Sequence, residues 1–153
     1  CPYFQISEIE MLVSDYLMRD YKLGVVGSFA ATSKNFDIAD PRFNDQNRRL
    51  VHSTIEGPEH AVFYRGEARL QNGKAIIQLP DYFEALTKKE NRTALLTNLD
   101  AGDIIWIETQ DGVQIKDGKF IVISSNRNSH QRFNWEVKAV RSDIASLKSE
   151  ITY

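Results

Sequence analysis

Residues 62–79 read VFYRGEARLQNGKAIIQL, and this stretch decides the fold class. Asn72-Gly73 sits between two runs of strand-forming residues. An Asn-Gly pair takes up the positive φ angles of a type I′ turn, whose twist suits two antiparallel strands. The spacing predicts a hairpin, with residues 62–70 on one side and residues 75–79 on the other. Pro80 stops the second strand. Residues 81–86 then read as a short helix or helical turn, because proline near a helix start gives up no needed amide.

Working outward, residues 93–99, 104–108 and 119–124 read as strands, the last two rich in β-branched side chains. Between them lie Asp111-Gly112 and Asp117-Gly118. Either each pair makes a turn around a short strand at 113–116, or the whole stretch is one long hairpin tip. Residues 126–131 read as a polar turn. Residues 134–141 alternate, with Trp135, Val137 and Ala139 on one face and Glu136 and Lys138 on the other. Upstream, residues 50–55 read as a strand ended by Gly57-Pro58, and residues 40–47 as a polar connection with Pro41. Residues 23–29 are apolar with Gly24 and Gly27 inside, which suits a bent strand better than a helix. About eight short strands with closely spaced turn signals predict a mainly β, antiparallel, sandwich-like domain with short flanking helices. No long helices separate the strands, which excludes a doubly wound α/β fold.

The two ends carry helical signals. Ser7 with Glu10 matches a capping box, and Ile9, Leu12, Val13, Tyr16 and Leu17 follow at helical spacing. Residues 11–18 are also compatible with a buried extended run, but a helix is the expected element here. At the other end Ser142 and Asp143 can cap, and Ile144, Leu147 and Ile151 recur at spacings of three and four. These three form an a/d-like seam of barely one heptad, the candidate start of a coiled coil. The expected organisation is a helical or connector segment at 1–21, a β domain at 22–141 and a C-terminal helix at 142–153.

A chain of 153 residues is one domain's worth, and 42% hydrophobic with 26% charged residues excludes global disorder. A formal charge of −2 argues against a nucleic-acid binder. No apolar run reaches the ~18 residues of a membrane-spanning helix, so no membrane insertion is expected. The single cysteine, Cys1, excludes an internal disulfide framework and a Cys-based zinc site. His52, His60 and His130 lack metal-ligand spacing, so neither metal nor cofactor is expected. GxSxG, GxxxxGK[ST] and GxGxxG are all missing.

The acidic pairs Glu56/Glu59 and Asp81/Glu84 have the residue types of a glycosidase, but such pairs arise freely among 21 acidic residues. No catalytic residue is assigned. Asn91-Arg92-Thr93 fits the N-glycosylation pattern, a short match that chance supplies. Arg48-Arg49 and Lys88-Lys89 read as solvated loop charges. Among the aromatics, Trp106, Phe120 and Trp135 are expected in the core. Tyr64 is left as the one weak candidate for surface binding.

From Lys34 to Arg141 the chain resembles a domain of phage tail-fibre and tailspike-like proteins. The segments that carry the resemblance are KNFDI (34–38), LVHSTIEGPE (50–59), YRGEA (64–68), NGKA (72–75), LPDYFEALT (79–87), DGKF (117–120) and WEVKAVR (135–141). The chain departs from the family where a His-Pro pair usually follows the first segment, and here the residues are Ala39-Asp40-Pro41-Arg42-Phe43. The resemblance implies a non-enzymatic virion component that forms a homotrimer, contacts other tail proteins, and meets a host-surface glycan or protein. It implies a place in the virion tail, extracellular after release. The alternative is a bacterial surface adhesin, or a lipoprotein anchored through Cys1. A glycan-degrading tailspike enzyme is the third reading.

Overall fold

The computed structural model describes residues 31–43 and 47–150. The chain divides between Ser33 and Lys34. The expected N-terminal helix and the strand at 23–29 lie outside the described residues, as does Ile151.

From Lys34 onward the architecture is mainly β and antiparallel, in a sandwich-like arrangement of sheets. Strands β1 (Asn35–Ala39) and β2 (Arg49–Ser53) form a two-stranded ribbon, with Phe36 opposite His52. β3 (Ala61–Arg69), β8 (Arg132–Val140) and β5 (Thr93–Asn98) form one three-stranded sheet, with β8 in the middle. β4 (Lys74–Gln78), β7 (Lys119–Ser124) and β6 (Ile105–Glu108) form the other, with β7 in the middle. One four-residue helix, α1 (Phe83–Leu86), lies between β4 and β5 in sequence.

Alternation along the strands builds the core. Val62, Phe133, Val137, Ala139 and Ala94 come from the first sheet, and Ile77, Phe120 and Val122 from the second. Leu79, Phe83 and Leu86 add apolar cover from the α1 region, all nearly inaccessible to solvent. Trp135 packs edge-on against Phe120, with ring centroids 5.7 Å apart. It also lies over Gly66, its partner across the ladder.

Three expectations need correction. The Asn72-Gly73 turn is present, with φ values of 50° and 75°. It does not make a hairpin, because β3 pairs with β8 and β4 pairs with β7. The turn is a corner where the chain leaves one sheet for the other. Gly73 donates to the Ser129 carbonyl and accepts from the Ser124 amide. A side chain at Gly73 would meet the Asn126 carbonyl oxygen at 2.7 Å. The loop after β7 thus holds the turn and carries β4 away from β3.

Trp106, expected in the core, is 44% exposed. An all-apolar strand has no parity signal, and in β6 it is Ile105 and Ile107 that pack on the core.

No helix forms at 142–150. Ser142 donates its amide to the Leu86 carbonyl and its hydroxyl to the Ala85 carbonyl. Lys88 Nζ donates to Ser146 Oγ at 3.0 Å. These bonds pin the tail along the body, while an isolated helix of this length is marginal in water.

The two Asp-Gly pairs each make a tight turn, with both residues of each pair at positive φ. Between them only Ile115 is buried, and no ladder forms there.

Candidate functional site

The two outer faces differ in character. The outer face of β3–β8–β5 is mostly polar, with Phe63 and Leu95 its exposed large apolar side chains, and holds an open groove of about 470 Å³. Strand alternation turns Arg65, Leu95, Thr97, Asn134 and Glu136 toward it, with Gly66 and Trp135 forming its floor. Its volume falls in the range of small-molecule sites, ~300–1,000 Å³.

Nearby carboxylates are engaged. Glu136 pairs with Lys138 at 2.8 Å, and Arg132 binds Glu67 at 3.1 Å and Asp100 at 2.9 Å. These bonds hold the Asp100 carboxyl below its usual range. Arg65 lies directly across the ladder from Glu136, yet makes no ion pair among the described residues, since Glu136 pairs with Lys138. The groove therefore offers a guanidinium, a side-chain amide and a hydroxyl beside Leu95, which is 62% exposed. That mixture suits a polyhydroxylated ligand that stays partly in water.

The outer face of β4–β7–β6 is apolar. Ile76 and Trp106 are exposed, and Ile121 and Ile123 lie half-buried between them on the central strand. Ile104, just before β6, is the most exposed large apolar side chain among the described residues. Lys74 and Glu108, from the two edge strands, approach to 3.8 Å over β7. Exposed apolar side chains grouped in this way are a feature that contact surfaces share.

A third feature joins residues of five family-like segments. His52 stacks on Phe36, centroids 4.9 Å apart and planes at 19°. Tyr82 and Tyr64 meet the imidazole edge-on at 5.5 and 6.1 Å. Tyr64 in turn contacts Phe83 at 5.5 Å. Arg141 covers the Phe36 ring at 3.9 Å and is held by Asp143. Burial pushes the phenols of Tyr64 and Tyr82 up. Tyr64 points inward, away from any surface-binding role.

The other sequence candidates fall apart in space or are engaged. Glu56 pairs with Lys34 and Asp81 with Arg42. Glu84 accepts from Arg92 at 2.6 Å and from the Gly118 amide at 2.8 Å. His60 lines a separate recess of about 290 Å³, and His130 is exposed. Ile144 and Leu147 line that same recess instead of a helical seam. Where the family-like His-Pro pair would stand, Arg42 grips the Asp40 carboxylate at 2.6 Å, and that bond brings the Asp40 carboxyl down to about 2.

No family model matches this chain. Neither the curated proteins nor the solved structures contain a detectable match.

The groove was invisible in the sequence because its residues come from three strands that are distant along the chain. The one signal available was the polar parity of residues 134–138, which places Glu136 outward.

Proposed function

We propose that this chain is a non-catalytic structural and receptor-binding domain of a trimeric phage tail fibre or tailspike. One observation carries the reading. Residues from the separate segments of the family-like pattern pack against one another at the Phe36–His52–Tyr64–Tyr82–Arg141 junction. Segments that share one junction fit a single folding module, which supports the reading of the resemblance as one domain.

The polar groove is the receptor contact in this reading, and a host-surface glycan is the ligand whose chemistry suits it. The apolar outer face with Ile76, Ile104 and Trp106 is the contact between copies. Burying strand faces between identical chains is how fibre domains gain stability.

Light scattering of the full chain tests the assembly. The expected mass is three times 17.5 kDa at all concentrations measured. A monomer that persists as concentration rises would overturn the trimer. Ile76→Lys with Trp106→Lys is expected to shift the mass to that of one chain without unfolding it.

Binding to immobilised bacterial polysaccharides tests the groove. Asn134→Ala combined with Arg65→Ala is expected to weaken retention about tenfold or more, the loss of roughly 1.4 kcal/mol. Retention unchanged in that double variant would remove the groove from the receptor contact.

A further inference from the structure

The β1–β2 ribbon is tied to the sandwich in an unusual way. It forms its own sheet, and among the described residues its backbone hydrogen bonds all stay within residues 34–54. Side chains alone dock it: Leu50 reaches the core, Phe36 and Ile38 pack against it, and Arg42 pairs with Asp81. His52 is the one titratable ring on the docked face.

Its surroundings suit only the neutral form. Nε2 lies 3.4 Å from Tyr82 Oη on the α1 side, close enough for one weak hydrogen bond. Nδ1 is buried with no hydrogen-bond partner. A protonated imidazole carries two N–H donors, and here the second would find no acceptor. Arg141, on the segment after β8, lies on the Phe36 ring that stacks against the imidazole, so a like charge sits nearby. The carboxylates of these elements are engaged elsewhere: Asp143 holds Arg141, while Asp40 and Asp81 both hold Arg42.

We infer that His52 is an acid-released latch, whose protonation undocks the β1–β2 ribbon while the two three-stranded sheets stay folded. Undocking hydrates the charged ring and separates it from Arg141. Burial, reinforced by Arg141, holds the docked imidazole below its usual value. The sign follows from that direction. Docking is fully stabilised above about pH 6.5, the value of the free ring, and weakens as the pH falls below it. One proton links to the transition, so the opening constant rises by up to about tenfold per pH unit. This inference stands apart from the fibre reading, since it concerns one chain whatever that chain assembles with.

Hydrogen exchange of the full chain, corrected for the intrinsic pH dependence of the chemistry, tests it from about pH 7.5 to about pH 5. The amides of β1 and β2 are expected to lose protection below about pH 6.5 while those of β7 and β8 keep theirs. His52→Phe keeps the stack on Phe36 and cannot be protonated, so its ribbon is expected to stay protected throughout. Protection that is flat in the wild type, or lost equally in His52→Phe, would overturn the latch. Should that variant fold poorly, the imidazole NMR titration of the wild type decides. A midpoint below about 6.5 supports the latch, and one at or above that value sinks it.

Discussion

Arg92→Ala will cost the domain about 3 kcal/mol, the low end of the range measured when one partner of a buried ion pair is removed, because the Glu84 side chain left behind is 35% exposed. The Arg92 side chain is 4% exposed. It lies over the Phe83 ring at 4.7 Å. Its guanidinium donates to Glu84 at 2.6 Å, to the Lys88 carbonyl at 2.8 Å and to the Thr87 carbonyl at 3.2 Å. One side chain thus closes α1 and the turn after it onto β5. Removing it strands two carbonyls and a carboxylate and opens a void beside Phe83. Burial works to raise the Glu84 carboxyl, but the bonds from Arg92 and Gly118 outweigh it and hold it low.

Arg92→Lys is expected to recover little, because an ammonium cannot reproduce a planar fork that meets three acceptors. Glu84→Gln is expected to cost only about 1 kcal/mol, since the amide oxygen still accepts from Gly118. Urea midpoints of the three variants check the order. A loss below about 1 kcal/mol for Arg92→Ala would mean the pair behaves like an exposed one.

Gly66→Ala sets two effects against each other. Removing a strand glycine limits the unfolded chain and would by itself stabilise by about 0.4–1 kcal/mol. Against this, the new Cβ would meet Trp135 Cζ2 at 2.6 Å and Cε2 at 2.8 Å. That ring also packs edge-on against Phe120, which limits how far it can shift. Overpacking of this kind costs about 1–3 kcal/mol, so the clash wins and the variant is destabilised. Trp135→Phe in the same chain is expected to restore part of the loss, a coupling that a double-mutant cycle reads directly. If Gly66→Ala proves neutral or stabilising, the close packing of Trp135 on the β3 backbone is wrong.

Strand positions were readable because alternation and turn chemistry are local. Residues 134–140 announced their inner face through Trp135, Val137 and Ala139, and Asn72-Gly73 announced its turn. Partner choice was not readable. A period of two says which face a residue takes and nothing about which strand lies beside it, so the turn looked like a hairpin. The C-terminal helix failed for a related reason. Ile144 and Leu147 satisfy helical spacing, but the tail is set by hydrogen bonds to Ala85, Leu86 and Lys88, some 57 residues away along the chain. The candidate groove inherits the same difficulty, since Arg65, Leu95 and Asn134 meet only once β3, β5 and β8 have paired.

The place of β8 in its sheet has a consequence for how the chain is made. Among the described residues it is the last strand in sequence and the middle strand of its sheet. During synthesis β3 and β5 leave the ribosome without the strand both of them need. Ala61 waits for Val140 and Thr93 for Lys138. The first sheet cannot begin to pair until β8 is present, so its assembly waits for that strand. Pairings of such long sequence separation place the domain among slow folders. Until Arg132 emerges, two apolar strand edges stay open to pairing with neighbouring nascent chains.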